Sequence, residues 1–251
     1  MLKDVAVLIP AYRNNIPPYE SYSLDRCNQI FNQYDRILCA PDGLSVDEYL
    51  KDYDGLKVMR FPSDCFESHR AYDRMMLQPA FYERFTSYRY ILIYQLDAFV
   101  FRDELGYWCD AGYDYVGAPW IGNAAISDIA SSCTRIRRIF HGIIPAYQKM
   151  VGNGGFCLRN VGSMINNLRW FRSKAQSWPY YEDTFFSFFV TSYNPLFRIP
   201  DTQKALQFAF EMHPAHCLKM NEGRLPFGCH GWEKYGTEFW KPYVEECGYR
   251  L

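Results

Sequence analysis

The sequence lacks any paired cysteine motif. Its nine cysteines are spread along the chain, they are odd in number, and none stands in a Cys-x-x-Cys pair. This pattern argues against both a disulfide framework and a structural zinc site. We therefore expect the cysteines to be buried thiols in a reducing compartment.

Long apolar runs, linkers and an excess of charge are also missing. No apolar stretch reaches the roughly 18 residues of a membrane helix. The first strand begins at Val5 and leaves no room for a signal peptide, so we expect a cytoplasmic protein. Lys and Arg total 27 against 28 Asp and Glu, and no helix-turn-helix or zinc-finger spacing occurs, so no nucleic-acid partner is expected. Without a linker or an internal repeat, residues 1–251 are expected to form one domain.

What the chain does contain is an alternation of strand-like and helix-like segments. Four apolar runs predict strands: Val5–Pro10, Arg36–Ala40, Leu56–Phe61 and Tyr90–Asp97. Two intervening segments have helical composition: 21–32 and 68–85. This order predicts an α/β fold with a Rossmann-like, mostly parallel central sheet. Such sheets bind ligands at the carboxyl ends of their strands, here near Pro10, Asp42 and Asp97.

Asp97 is a carboxylate at the predicted end of a buried strand, where it either caps the next turn or holds a ligand. Gln95 lies two positions earlier and would share a face with it on an extended strand. One carboxylate can ligate a divalent cation when a diphosphate and water supply the other oxygens. His230, between two glycines, is a candidate second ligand, although a histidine that only orders its loop has the same pattern.

The segment Val151–Phe156 is a glycine loop without the Gly-Lys-Ser/Thr continuation of a phosphate-binding P-loop. Its glycines allow the main chain to pass close to a flat ligand ring, and Asn153 can donate and accept hydrogen bonds to hydroxyls. A simple tight turn is the alternative interpretation.

Glu182 and Asp183 begin a helix rich in aromatic residues. The helix dipole favours a carboxylate in the first turn and is expected to lower its pKa. Because neighbouring helical side chains point about 100° apart, only one of the two acids should face a pocket. An ionised carboxylate can serve as a general base, whereas capping of the helix is the ordinary explanation for acids there.

Two further features leave alternatives open. Segment 126–150 carries four cations among bulky apolar residues: Arg135, Arg137, Arg138 and Lys149. It fits a mobile lid, a patch attracted to an anionic membrane, or a solvated helix face. Aromatic residues make up 18% of the chain, which suggests surfaces that stack on sugars or bases.

Four stretches of the sequence resemble a bacterial family that is catalogued as a domain of unknown function and considered glycosyltransferase-like: YILIYQLDAF, YDYVGAPW, GNGGFCLR and EDTFF. The order of the candidate residues along the chain is also similar to that of GT-A glycosyltransferases. The resemblance extends from about Val5 to Trp240. It implies a single GT-A-like domain with a nucleotide-binding half at about 1–120 and an acceptor half at about 121–251.

The resemblance also implies roles for individual residues. Asp97 and His230 would hold a divalent metal, Mn²⁺ or Mg²⁺. Gln95 stands where GT-A enzymes usually have the first acid of an Asp-x-Asp motif, and it cannot neutralise the charge of a cation. The residues expected to bind the donor are Pro10, Tyr12, Arg13, Asp42, Gln95, Asn153, Gly154 and Gly155. The two glycines would abut the donor sugar, and Asp183, with Glu182 beside it, would deprotonate the acceptor hydroxyl.

These roles describe a metal-assisted, inverting glycosyltransferase that moves a sugar from a nucleotide-sugar donor to a glycan or lipid-linked acceptor, as in polysaccharide biosynthesis. Such an acceptor agrees with peripheral contact between segment 126–150 and the inner face of the membrane. A catalytically silent nucleotide-sugar or glycan-binding protein of the same fold is one alternative. A sugar-nucleotide transferase is another, but it normally needs a glycine-rich, basic loop after the first strand, and residues 10–15 contain no glycine.

Overall fold

A computed structural model describes residues 3–123, 125–131 and 150–251. The strands in this part are β1 Lys3–Pro10, β2 Asp35–Pro41, β3 Leu56–Phe61, β4 Tyr88–Tyr94, β5 Ala98–Val100, β6 Tyr115–Val116, β7 Phe156–Asn160, β8 Ala209–Phe210 and β9 Gly228–His230. The helices are α1 Pro18–Ile30, α2 Asp47–Leu50, α3 His69–Met76, α4 Pro79–Glu83, α5 Leu105–Asp110, α6 125–131, α7 Val161–Trp170, α8 Arg172–Gln176, α9 Glu182–Thr184, α10 Thr191–Tyr193, α11 Thr202–Phe208, α12 Pro214–Met220 and α13 Thr237–Glu246. A 3-10 turn spans Ser63–Phe66, and a π-helical segment spans Phe185–Val190.

The larger sheet has the strand order β3-β2-β1-β4-β7-β6. Strands β1 to β4 are parallel, β7 runs antiparallel to β4, and β6 antiparallel to β7. Alternate residues of β1 enter two separate apolar clusters, with Val5, Val7 and Ile9 on one side and Ala6 and Leu8 on the other. A strand covered on both faces has no polar side, which explains its continuous apolar run. The predicted α/β fold with a mostly parallel, Rossmann-like sheet is confirmed.

One edge of this sheet collects the ends of several strands. β1 ends there at Pro10, and β4 ends at Tyr94, which pairs with Phe156 at the start of β7. The backbone N–H of Gln95 then donates to the carbonyl oxygen of Gly155 over 2.8 Å. The loop that follows β4 and the glycine loop that precedes β7 are therefore side by side.

The smaller sheet, in the order β5-β9-β8, brings residues from distant parts of the sequence to this edge. Ala98, the first residue of β5, pairs with His230, the last residue of β9. Strand β8 lies on the other side of β9 and ends one residue before Glu211. Asp97, His230 and Glu211 thus become neighbours.

The predicted strand end at Asp97 is wrong. β4 stops at Tyr94, and the backbone turns, with the N–H of Ala98 donating to the carbonyl oxygen of Gln95 over 2.9 Å. Gln95 and Asp97 lie on this turn and not on one face of a strand, because the chain is leaving the large sheet for the small one.

Two other predicted elements also differ from the structure. The helix expected over 68–85 is divided into α3 and α4, because Pro79 lacks a backbone N–H and starts a new helix. The aromatic helix is α-helical only over α9 and then becomes π-helical.

Across 3–123, 125–131 and 150–251, no helix combines the length and apolar character needed to cross a bilayer. Of the segment 126–150, the first residues belong to α6. The four cations on which the predicted membrane contact rests lie outside the described residues.

Candidate functional site

The imidazole of His230 is the centre of a polar cluster at the sheet edge. Its Nε2 lies 3.1 Å from Oδ1 of Asp97 and 3.3 Å from Oε1 of Gln95. Its Nδ1 lies 3.1 Å from Oε1 of Glu211 and 3.0 Å from Nδ2 of Asn153. Gln95, Asp97, Asn153 and His230 are all residues that the sequence singled out, whereas Glu211 is not.

The charges in this cluster are strongly coupled. Burial lowers the pKa of His230, but the carboxylates of Asp97 and Glu211 outweigh burial and raise this pKa to about 10. Burial raises the pKa of Asp97, but the imidazolium outweighs it and leaves the pKa below its ordinary value. In the free protein His230 is therefore a cation held between two carboxylates.

The cluster has the donor atoms for a weak metal site. Asp97 Oδ1 and Gln95 Oε1 both lie close to His230 Nε2, and these spacings near 3 Å suit neighbouring ligands of an ion held at about 2.1 Å. Among the described residues no group of three or more His, Cys, Asp or Glu side chains is arranged to hold a metal. Glu211 does not complete such a group, because it contacts the opposite nitrogen of the imidazole ring. A cation here would thus need further oxygens from a bound ligand and water, and it would displace the proton on Nε2.

The glycine loop is shaped around the protein's own side chains. A Cβ added at Gly155 would overlap the ring of His230, and one added at Gly154 would lie 2.7 Å from Oε1 of Glu182. Asn153 has a φ of 76°, and its Oδ1 accepts the backbone N–H of Gly155 over 2.8 Å. In this structure the flat ring that lies against Gly155 is that of His230, whereas Gly154 lies against Glu182.

Glu182 points into the core. Its carboxylate forms a bidentate ion pair with Arg159, in which Nη1 lies 2.9 Å from Oε2 and Nη2 lies 2.7 Å from Oε1. The side chains of Arg159 and Glu182 are 0% and 3% exposed, and the guanidinium also donates to the hydroxyl of Tyr82 over 2.8 Å. Both carboxylate oxygens are engaged, so this placement does not fit the catalytic role predicted for Glu182.

Asp183 is the partly exposed acid of the pair, and its Oδ1 accepts the backbone N–H of Thr184 over 2.7 Å. Burial in the site raises its pKa to about 8, and the negative charges of Glu182, Asp73 and Glu211 add to this effect. The depressed pKa expected from the helix dipole is wrong, because burial and three nearby carboxylates outweigh the dipole.

The loop after β1 borders the same cluster. Tyr12 is 59% exposed, and burial, Glu20 and Asp97 all raise its pKa, which puts its hydroxyl within electrostatic reach of Asp97. Arg13 forms an ion pair with the buried Glu20, and its carbonyl oxygen accepts the hydroxyl of Tyr49 over 2.8 Å. Pro10 ends β1, and the exposed Asp42 follows the neighbouring strand β2.

Three residues of the site have no signal in the sequence. Glu20 and Glu211 reach it from α1 and from the end of a two-residue strand, and neither belongs to a recognisable pattern. The exposed Lys234 interacts electrostatically with Asp97 and Glu211. Lys234 lies four residues after His230, so its position near this candidate residue is the only feature of the sequence that could have identified it.

The fold is that of GT-A glycosyltransferases. Mouse xyloside xylosyltransferase 1 superposes with a TM-score of 0.55 at 12% identity, covering 91% of this chain and 97% of that one. The galactosyltransferase LgtC, in complex with donor and acceptor sugar analogues, gives 0.55 at 12% identity and covers 96% and 95%. Core-mannan synthase A from Aspergillus fumigatus, in a form with Mn and GDP, gives 0.50 at 8% identity and covers 75% and 69%.

Sequence comparison identifies a family. No curated protein matches the chain. The resemblance to GT-A enzymes and to a glycosyltransferase-like family of unknown function is confirmed. The family model described as "Protein of unknown function (DUF5672)" matches residues 55–230 of the chain. The chain therefore belongs to this family.

Proposed function

We propose that this protein is a glycosyltransferase that moves a sugar from a nucleotide-sugar donor to a glycan or lipid-linked acceptor. The observation that carries the proposal is the convergence of Gln95, Asp97 and Glu211 on His230 at the carboxyl edge of the sheet. Open α/β sheets bind ligands at this edge. The structural neighbours named above have the same fold and are glycosyltransferases.

In this proposal residues up to about 120 of the single domain hold the nucleotide, and 121–251 face the acceptor. The exposed ring of Tyr12 can stack on the base, and Pro10 and Asp42 border the base and ribose. Arg13 contributes indirectly, because its pairing with Glu20 fixes the course of the loop that carries Tyr12.

Asp97 and His230 would bind a divalent cation, Mn²⁺ or Mg²⁺, with Gln95 as a neutral oxygen ligand. When bound, the metal would offset the negative charge on the departing diphosphate. Glu211 accepts a hydrogen bond from the Nδ1–H of His230. This bond directs Nε2 towards Asp97 and fixes the tautomer that a metal ligand needs. Lys234 adds exposed positive charge beside these carboxylates.

Asp183 is the proposed general base. The acceptor oxygen forms its bond to the anomeric carbon as the bond to the diphosphate breaks, and the hydroxyl proton moves to Asp183, with inversion. Glu182 supports this geometry through Arg159. Gly155 leaves room for the imidazole of His230, Gly154 leaves room for Glu182, and Asn153 orders this loop by accepting the backbone N–H of Gly155. A retaining reaction would not need Asp183 as a base.

Two measurements test this function. The first is thermal unfolding with UDP or GDP, with and without Mn²⁺, because a ligand of the native state raises the melting temperature. We expect stabilisation that needs Mn²⁺ and is lost in Asp97→Asn. The second is turnover of nucleotide sugars, which Asp183→Asn should abolish without changing nucleotide binding.

The same measurements distinguish the alternatives. A silent binding protein would be stabilised by nucleotides but would consume no nucleotide sugar with any acceptor. A sugar-nucleotide transferase would release pyrophosphate from a nucleoside triphosphate and a sugar phosphate. The loop after β1 argues against this reaction, because it has no glycine and the guanidinium of Arg13 is paired with Glu20.

A further inference from the structure

A groove of about 740 Å³ lies at the end of the large sheet opposite to His230. Six of the residues that line it are Asp114, Ser163, Asn166, Trp170, Asn194 and Leu196. β7 connects the two regions, since it starts beside Gly155 and ends in the groove at Asn160. At about 3.3 Å per residue, the strand separates them by roughly 13 Å. The groove is thus distinct from the proposed transfer site.

One wall of the groove presents an indole ring to solvent. Ser163, Asn166 and Trp170 are spaced three and four residues apart, and therefore share one face of α7. The opposite face carries buried residues such as Met164 and Leu168 and packs on the core. Trp170 is 75% exposed, and Leu196, which also lines the groove, is 80% exposed. Apolar surface exposed around a concave site is typical of binding regions.

The polar side chains of the groove are held in fixed positions. Asn194 Nδ2 donates to Oδ1 of Asn167 over 2.9 Å, and Asn167 Nδ2 donates to the carbonyl oxygen of Ser163 over 2.8 Å. Asp114 Oδ2 accepts the backbone N–H of Arg198 over 2.6 Å. Side chains fixed in this way lose little conformational freedom when a ligand binds.

Other polar groups remain available to a ligand. Within the described part of the chain, neither the amide of Asn166 nor the indole N–H of Trp170 hydrogen-bonds to the protein. An amide offers both donors and an acceptor, which matches the mixed donor and acceptor character of a sugar hydroxyl. The ring of Trp170 offers an apolar face to the C–H face of a sugar.

The charges favour a neutral ligand. Arg169, the cation that lines the groove, is engaged by Oε1 of Glu83 at 2.7 Å. The acid of the groove, Asp114, would repel phosphate and sulfate groups. We propose that this groove is a second, non-catalytic site for a neutral glycan chain. Such a site would keep a polymeric substrate close to the protein and raise the effective concentration of this substrate at the proposed transfer site.

Calorimetric titration with four neutral hexasaccharides tests the proposal: maltohexaose, cellohexaose, mannohexaose and chitohexaose. We expect wild type to bind at least one of them saturably. Trp170→Ala should weaken that binding by about tenfold or more, because the sugar loses a stacking surface of side-chain size. Trp170→Phe should retain part of the affinity. Since Trp170 is exposed, the unfolding midpoint of each variant should stay near that of wild type.

Tyr107→Ala is the matched control, because Tyr107 is a 53% exposed ring in a separate groove. Its affinity for the hexasaccharide should equal that of wild type. Binding of UDP or GDP with Mn²⁺ should be unchanged in Trp170→Ala, and hexasaccharide binding should survive in Asp183→Asn. The glycan site and the transfer site can therefore fail independently.

Three results would overturn the proposal. One is the absence of binding to all four hexasaccharides. Another is equal affinity in wild type and Trp170→Ala, which would place the sugar elsewhere. The third is self-association or vesicle binding that depends on Trp170 without any hexasaccharide binding, which would make the groove a protein or membrane contact.

Discussion

The carboxylate of Glu211 lies 3.1 Å from Nδ1 of His230, on the side of the imidazole ring opposite to Asp97. The histidine thus bridges two acids that are far apart in sequence. A carboxylate in this position fixes which nitrogen faces a metal ligand, and such supporting residues strongly affect metal affinity.

Removal of Glu211 should weaken metal-dependent nucleotide binding. In Glu211→Ala the imidazole loses the acceptor of its Nδ1 proton, so we expect the affinity for UDP or GDP in Mn²⁺ to fall by about 10–100-fold. Glu211→Gln keeps an oxygen acceptor and should lose less. Calorimetry at fixed nucleotide and varied Mn²⁺ measures the effect.

Glu222→Ala is the control, since Glu222 is an exposed acid paired with Arg224. It should bind Mn²⁺ and nucleotide as wild type does. Wild-type affinity in Glu211→Ala would contradict the positioning role.

Gln95 offers a gain-of-affinity test. Its Oε1 is 3.3 Å from Nε2 of His230, and Gln95→Glu adds a charge without changing the shape of the side chain. Because affinity for hard cations rises with the number of charged ligands, Mn²⁺ should bind more tightly in this variant. We expect about a tenfold lower dissociation constant, measured by electron paramagnetic resonance of free Mn²⁺. An unchanged constant would remove Gln95 from the site.

Local sequence patterns were enough to predict the scaffold. Strands β1, β2 and β3 were predicted to within two residues at each end. In β1 and β2 this is because a strand covered on both faces is a continuous apolar run. Breaks inside elements were harder to predict. The turn before Asp97 depends on a second sheet that forms with β9, and nothing near Asp97 in the sequence encodes this pairing.

The site residues were also predicted only in part, because some of them come together only through tertiary structure. Asp97 and His230 could be paired because each stands in a distinctive segment, whereas Glu211 reaches them only through tertiary structure. The abundant aromatic residues suggested stacking surfaces, yet most of the described ones lie in the core, with Tyr12 and Trp170 among the exceptions. Composition cannot distinguish a buried ring from an exposed one.

Turnover should depend on pH through Asp183. Its pKa near 8 leaves the carboxyl mostly protonated at neutral pH, so kcat/KM should rise as pH increases through about 8. Asp73→Asn removes a nearby negative charge and should move this rise to lower pH, because the remaining charges oppose ionisation less. Initial rates from pH 6 to 10 test both points. A pH profile that Asp73→Asn leaves unchanged would assign the titration to another group.

Breaking the buried Arg159–Glu182 ion pair should lower the stability of the protein. Glu182→Gln leaves a fully buried guanidinium without its counter-ion, so we expect the free energy of unfolding to fall by about 3–5 kcal/mol. The double variant Arg159→Met, Glu182→Leu removes both charges and should recover much of this loss. Urea unfolding gives the values. The exposed pair of Arg169 and Glu83 is the control, and Glu83→Gln should cost less than about 1 kcal/mol.

Gly155 should be essential for the position of His230. A Cβ at this residue would overlap the imidazole, so Gly155→Ala must push the ring away from Asp97 and Glu211. We expect loss of Mn²⁺-dependent stabilisation by UDP or GDP, together with a lower pKa of His230 in an NMR titration, because the ring leaves the two carboxylates that raise it. Gly106→Ala is the matched control, since nothing lies within 4 Å of a Cβ added there and the residue is helical. It should preserve nucleotide binding and leave stability the same or slightly higher. If Gly155→Ala binds Mn²⁺ and nucleotide like wild type, then His230 does not take part in the site.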